Sequence, residues 1–196
     1  MILLKTVKEE YEAEVIINKS RFIGILIPVF DKENVNELIL NIKNKYKNAT
    51  HYCYGYIIGS FEKCDDNGEP QGTAGMPILN VLKFNGLTNV LCVVIRYFGG
   101  IKLGAGGLVR AYSLITKEVI KKSVICNYSL GYYIVFKFDY DNLKNVDFLL
   151  KGFEITKIFN EKIIYKFKIK ESDFNLLEGK LLKYGAVIEK KASFVC

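Results

Sequence analysis

The sequence predicts an α+β fold built as two domains, residues 1–122 and residues 123–196. In the first half, a continuous apolar run at 90–95 is followed by a cluster of glycines and then by apolar residues at helical spacing, which indicates strand, loop and helix. In the second half, the patterns follow the order β-α-β-β-α-β, which is typical of a ferredoxin-like domain. A chain of 196 residues is long enough for each domain to bury its own core.

The first domain is expected to open with a β-hairpin and a surface helix. The predicted elements before the central run are strands at 11–17 and 21–29, an amphipathic helix from Asp31, a strand at 50–61 and a helix at 74–84. The polar triplet Asn18-Lys19-Ser20 separates the first two strands as a turn, and Asn85-Gly86 ends the second helix.

The central segment joins the apolar run 90–95 to a helix that begins near Leu108. The run is short and rich in β-branched residues, which favours a strand buried on both faces. Five glycines follow it, in a stretch at 99–107 that we call the glycine segment: Gly99, Gly100, Gly104, Gly106 and Gly107. Their backbone freedom permits a close approach by a ligand or by another part of the chain.

Two interpretations of these glycines stay open. The amide groups at the N-terminus of a helix favour anions, and Arg96, Lys102 and Arg110 would add positive charge. Alternatively, the glycines only form a tight turn that lets helix and sheet pack closely. The segment has neither the Gly-Lys-Ser/Thr of a P-loop nor the GxGxxG of a dinucleotide site, so no nucleotide or other cofactor is expected.

The second domain is predicted element by element from its own patterns. These elements are a strand at 128–140, a helix at 141–151, strands at 152–159 and 161–170, a helix at 171–184 and a strand at 186–195. Tyr132, Phe136, Phe167 and Lys168 lie on these strands, and exposed aromatic residues on such a sheet are a recurrent RNA-binding surface.

Charge and hydropathy bound the class of protein. The net charge of +7 is spread over both halves, which suits a polyanionic partner but is equally typical of a lysine-rich surface. No apolar run reaches the roughly 18 residues that cross a membrane, and the N-terminus has no signal-peptide pattern, so a cytoplasmic protein without membrane contact is expected. The five cysteines form no CxxC pair, which favours reduced thiols. His51, Cys53 and Cys64 are a weak zinc pattern, and no metal site is expected.

An acidic loop at 64–77 is the second candidate for function. Asp65, Asp66 and Glu69 are residues that can hold a divalent cation or act as acid and base. The same residues are also good turn formers, and a turn or an interaction surface is the favoured interpretation.

Four segments closely resemble the IMPACT/YigZ family, in its bacterial two-domain branch. They are KSRFIG at 19–24, ATHYCYGYIIG at 49–59, DDNGEPQGTAGMPIL at 65–79 and VIRYFGGIKLGAGGLVRAYS at 94–113. The resemblance implies an N-terminal domain with a fold seen in a small-subunit ribosomal protein and in a translocation elongation factor, followed by a ferredoxin-like domain. It also implies a role near translation, since eukaryotic relatives regulate a kinase of the initiation machinery through a ribosome-associated partner.

The leading hypothesis is a non-enzymatic module, associated with translation, that binds RNA or the ribosome. Arg96, Lys102, Arg110 and the amides of the glycine segment would bind phosphate, while Tyr97 and Phe98 would stack on bases or belong to the core.

Two alternatives remain. The first is a hydrolase acting on a phosphate-containing or peptide substrate, with Asp65, Asp66 and Glu69 folded over the glycine segment. The second is a protein-interaction adaptor, in which the acidic loop and the segment YFGG at 97–100 form the surface for a partner such as a translation-associated protein. Neither the oligomeric state nor the ligand follows from the sequence.

Overall fold

The computed structural model describes residues 4–195, and the chain divides into two compact units after Asn127. The predicted α+β class is confirmed, because both units combine helices with an antiparallel sheet. The boundary that the sequence predicts, after Lys122, falls at the end of a helix, and a short segment separates it from the division after Asn127.

The first unit holds six strands and three α-helices among the described residues. The strands are β1 (Leu4–Val7), β2 (Tyr11–Ile17), β3 (Ser20–Pro28), β4 (His51–Ile58), β5 (Phe61–Asp65) and β6 (Val90–Tyr97). The helices are α1 (Val35–Lys45), α2 (Gly75–Phe84) and α3 (Gly104–Lys122). Neither β1 nor β5 is among the strands predicted from the sequence.

The main sheet of this unit has the strand order β2-β3-β6-β4-β5, and every pairing in it is antiparallel. Helices α2 and α3 pack on one face, and α1 packs on the other. Strand β6 lies at the centre, so Cys92 and Val94 contact the α2/α3 core while Val93 and Ile95 contact the α1 core. The prediction of a strand buried on both faces is confirmed.

The prediction of a single strand at 50–61 is wrong in extent, because β4 ends at Ile58 and a second strand, β5, begins at Phe61. The chain reverses at Gly59, which has a φ of +58°, and returns as β5 alongside β4. A left-handed residue at this point is compatible with glycine and costly for most other residues. Strand β5 carries mostly exposed side chains, so it lacks the alternating apolar pattern that identifies a strand.

The second unit has the predicted β-α-β-β-α-β order. Its elements are β7 (Ile125–Phe138), α4 (Leu143–Leu149), β8 (Ile155–Phe159), β9 (Ile163–Lys170), α5 (Glu171–Leu181) and β10 (Gly185–Val195). The strands lie in the order β10-β7-β9-β8, again antiparallel. Both helices contribute to one core with the sheet, through Val146 of α4 and Phe174 of α5.

The proposed aromatic RNA surface on this sheet is wrong for two of its members. Phe136 is fully buried and Phe167 is 2% exposed, because both point into the core beneath α4 and α5. Tyr132 is half-buried and hydrogen-bonds Glu171, and Lys168 is exposed.

Two further expectations can be compared with the described residues. None of their helices is long and apolar enough to cross a membrane. Cys53, Cys64 and Cys92 are free thiols, as the sequence predicts for them. Cys196 lies outside the described residues.

We expect Phe136→Ala to lower the free energy of unfolding by about 3–5 kcal/mol, because it leaves a cavity in a closed core. The control is Phe148→Ala on α4, where the side chain is 79% exposed and the expected change is within about 0.5 kcal/mol. Urea unfolding of both variants measures the difference. Equal small losses would contradict the placement of Phe136 in the core.

Candidate functional site

A buried ion pair lies where β6 ends. Nη1 of Arg96 donates to Oε1 of Glu69 over 2.6 Å, and the two side chains are only 5% and 4% exposed. Arg96 lies on the α2/α3 face of the sheet, with its guanidinium carbon 5.3 Å from the centre of the Phe22 ring. The buried Nε of Arg96 has no acceptor among the described residues, so the pairing with Glu69 is the main compensation for burying this cation.

Three more side chains surround the same carboxylate. Tyr112, in the third turn of α3, donates its hydroxyl to Oε1 of Glu69 over 2.8 Å. Nε2 of His51 lies 3.9 Å from Oε2, because His51 on β4 is the register partner of Arg96 on β6. The Sγ atom of Cys53, two residues further along β4, lies 3.3 Å from the Tyr112 hydroxyl.

The thiol and the phenol of this cluster are held in their neutral forms. Burial raises the pKa of Cys53 to about 12, with only partial opposition from its hydrogen bond to Tyr112. Burial and the neighbouring Cys53 and Glu69 also raise the pKa of Tyr112 well above its usual range. Because the thiolate is the reactive form of cysteine, Cys53 is unsuited to act as a nucleophile near neutral pH.

Asp66 organises the acidic loop from within. Its Oδ1 accepts from the amides of Ala74 at 2.9 Å and Gly75 at 2.8 Å, and its Oδ2 accepts from the amide of Gly72 at 2.7 Å. Burial alone raises the pKa of this carboxyl, but the three amide hydrogen bonds outweigh it and hold the pKa of Asp66 below its usual value. Asp65 accepts only from the amide of Asn67 among the described contacts and stays at the surface.

These contacts bear on the proposed catalytic acids. The carboxylates of Asp66 and Glu69 are each occupied by internal donors, and no group of three or more His, Cys, Asp or Glu within 4–195 is arranged to hold a metal ion. Glu69 brings the acidic loop to the end of β6 and to α3, that is, to both sides of the glycine segment. The geometry thus favours a structural role for this loop.

The glycine segment turns sharply against the β2–β3 hairpin. The amide of Gly99 donates to Oγ of Ser20 over 3.2 Å, and a Cβ at Gly99 would lie 2.0 Å from the carbonyl carbon of Lys19. No side chain fits there, so Gly99 is required by this close approach. Ser20 also accepts from Nη2 of Arg96 at 3.4 Å, which links the ion pair to the same turn.

Beyond this turn the chain is exposed. Phe98 is 46% exposed, and Lys102 and Arg110 are exposed around the start of α3. The helix begins at Gly104, so Gly106 and Gly107 belong to its first turn, which carries no acidic residue and no side-chain cap. Nη1 of Arg110 lies 3.8 Å from where a Cβ of Gly106 would be, so this cation lies over the exposed first turn.

The structure therefore places the predicted anion-site residues in two groups. The exposed group consists of Phe98, Lys102, Arg110, Gly104 and Gly106. Arg96 is buried in its ion pair with Glu69, and Tyr97 packs against the α1 core and hydrogen-bonds the carbonyl of Lys47. Sequence reasoning missed Tyr112 and Ser20 as partners of the cluster, because the pairing of β3 with β6 brings Ser20 to Arg96 and the packing of α3 on the sheet brings Tyr112 to Glu69.

Comparison with known proteins identifies the family. A model of the Impact N-terminal domain matches residues 18–120, which include β3 to β6 and nearly all of α3. The chain belongs to the IMPACT family. The IMPACT family member YvyE of Bacillus subtilis (strain 168) is 40% identical over 181 residues, covering 87% of this chain and 81% of YvyE.

The chain is also similar to a relative from Escherichia coli and to a solved structure. IMPACT family member YigZ of Escherichia coli (strain K12) is 39% identical over 101 residues, covering 49% of this chain and 50% of YigZ. A crystal structure described as a hypothetical protein superposes with a TM-score of 0.64 at 25% identity, covering 95% of this IMPACT-family chain and 97% of the other. The sequence-based assignment to the family is confirmed.

We expect Glu69→Gln to lower the free energy of unfolding of this IMPACT-family protein by about 3–5 kcal/mol, because it leaves the buried Arg96 cation without a carboxylate. Arg96→Met combined with Glu69→Gln should recover part of that loss, and Arg96→Met alone completes the double-mutant cycle. The matched control is Glu118→Gln, which breaks a surface pair with Lys121 and should change stability by less than about 1 kcal/mol. Urea unfolding of all variants measures the coupling, and additive losses would contradict it.

The lowered pKa of Asp66 predicts an acid-dependent loss of stability. The carboxylate contributes stability above its unfolded pKa, near 3.8, and loses it as pH falls from there through the lower folded pKa. Asp66→Asn should therefore be less stable than the parent at pH 6 and should lose less as pH falls below 3.8. Urea titrations between pH 2 and pH 6 test this, with Asp65→Asn as the control. Parallel pH profiles for the parent and Asp66→Asn would argue against it.

Proposed function

We propose that this IMPACT-family protein is a translation-associated regulator that binds RNA, free or in the ribosome, through the surface formed by Phe98, Lys102, Arg110 and the first turn of α3. We call this surface the phosphate face. The observation that carries the proposal is the position of Arg110 beside the exposed first turn of α3, where its Nη1 lies 3.8 Å from the place that a Cβ of Gly106 would occupy. A helix N-terminus and a nearby cation together favour a phosphate group.

The composition of the phosphate face supports a nucleic acid over a small anion. Lys102 and Arg110 give two positive charges at its edge, and the first turn of α3 has no acidic residue to compete with phosphate. The half-exposed ring of Phe98 supplies a flat apolar surface of the kind on which unpaired bases stack. The net charge of +7 favours encounter with a polyanion.

Arg96 has a different role in this proposal from the one expected from sequence. It is a positioning residue, since its pairing with Glu69 and its contact with Ser20 fix the point at which the segment leaves the sheet. Tyr97 anchors the other side of the same strand. The link to translation rests on the family resemblance, and the binding of RNA rests on the phosphate face.

The test is binding of a fluorescent single-stranded RNA, 12 nucleotides long, measured over a series of salt concentrations. Each phosphate contact on a single strand contributes a slope of about −0.7 in log affinity against log salt. Lys102→Ala combined with Arg110→Ala should weaken binding and make the slope shallower by about 1.4. Phe98→Ala should weaken binding by about 1–3 kcal/mol for one stacked base while leaving the slope unchanged.

The matched control is Lys121→Ala combined with Lys122→Ala, which removes the same charge from the far end of α3. It should leave the slope within error of the parent. Co-sedimentation with purified ribosomal subunits provides a second readout for the same variants. Absence of RNA binding by the parent at low salt, or an equal loss in the control, would refute the phosphate face.

A further inference from the structure

Helices α2 and α3 pack side by side on one face of the sheet and leave a groove between them on their outer side. The groove encloses about 430 Å³. One wall carries Met76, Asn80 and Phe84 of α2, and the other carries Val109, Ser113 and Lys117 of α3. Each set is spaced by four residues, so each wall is one continuous ridge along its helix.

The groove is apolar and open. Met76 is 44% exposed, Val109 is 37% exposed and Phe84 is 90% exposed, while Pro77 and Val81 between them are buried and form the floor. These exposed side chains lie together, whereas isolated apolar residues on a surface need no explanation. A contiguous exposed apolar surface bordered by polar residues is typical of a site of protein contact.

The charge on the groove lining is positive. Among the described residues, its lining includes Lys117 and no carboxylate. The polar residues Asn80 and Ser113 lie midway along the two ridges, and Lys117 lies at one end of the α3 ridge. An apolar floor offers no donor to a phosphate group, so this surface is unlike the phosphate face and favours an occupant with apolar side chains and negative charge.

We propose that the α2/α3 groove binds an amphipathic, acidic α-helix of a partner protein. Two parallel helical ridges with an apolar floor accept the apolar stripe of a third helix, whose residues would recur at i, i+3, i+4 and i+7. The distance along α2 from Met76 to Phe84 is about 12 Å at 1.5 Å per residue, which corresponds to between two and three turns of the bound helix. Carboxylates beside its stripe would face Lys117.

The test uses a fluorescent amphipathic peptide of 14 residues, with leucines at i, i+3, i+4 and i+7 and glutamates on both sides of them. Two control peptides have the same composition in scrambled order, and the same leucines with lysine in place of glutamate. The full chain should bind the acidic peptide at least tenfold more tightly than either control peptide.

Variants of exposed residues then locate the contact without disturbing the core. Met76→Ala combined with Val109→Ala should weaken the acidic peptide at least fivefold. Leu114→Ala, which shortens another exposed side chain of α3 outside the groove lining, should change affinity by less than twofold. Lys117→Glu should reverse the preference between the glutamate and lysine peptides, whereas Lys122→Glu should preserve it.

Three results would overturn the proposal. One is equal affinity for the acidic and scrambled peptides. Another is a concentration-dependent dimer, seen by analytical ultracentrifugation, that Met76→Ala/Val109→Ala dissociates and the peptide does not, because the groove would then hold a second copy of the chain. The last is loss of single-stranded RNA binding in Met76→Ala/Val109→Ala with no binding of the acidic peptide, which would assign the groove to nucleic acid.

Discussion

The carboxylate of Glu69 is the constraint on which the N-terminal unit depends. It connects the acidic loop, the end of β6 through Arg96 and the third turn of α3 through Tyr112, which are far apart in sequence. Such a buried pair adds little net stability compared with an apolar contact, but losing one partner leaves an uncompensated charge in a medium of low dielectric constant. The three segments are thus held in one arrangement, because any other arrangement would leave either the Arg96 cation or the Glu69 carboxylate buried without its partner.

This arrangement determines which side of the glycine segment meets solvent. Arg96 is committed to Glu69 and Ser20, and Gly99 lies so close to Lys19 that the chain must turn outward there. The turn carries Phe98 and the start of α3 to the surface. A buried cation therefore helps to fix the position of the exposed residues that we propose as the phosphate face.

A structural element can be predicted from the sequence when a local pattern determines it, and cannot when tertiary contacts determine it. Six consecutive apolar residues at 90–95 leave no polar face, so a doubly buried strand follows from the sequence alone. Strand β5, FEKCD, gives no such signal because its side chains face solvent at the sheet edge. In β7 the run Tyr132 to Phe136 is apolar or aromatic on both faces, so alternation cannot say which side is buried, and Phe136 proved to be in the core. The Glu69 cluster needs the register of His51 with Arg96, which no local pattern encodes.

Helix α3 shows how one element can present two different surfaces. Successive helical residues are separated by about 100°, so Val109 and Arg110 point in different directions although they are adjacent in sequence. Val109 continues through Ser113 to Lys117 along the groove, while Arg110 folds back over Gly106 at the N-terminus. The side that remains, with Tyr112, Ile115 and Val119, is buried against the sheet. Since the phosphate face and the α2/α3 groove share a helix but no side chain, substitutions in one need not alter the chemistry of the other, and a protein partner and an RNA would be recognised by separate sets of residues.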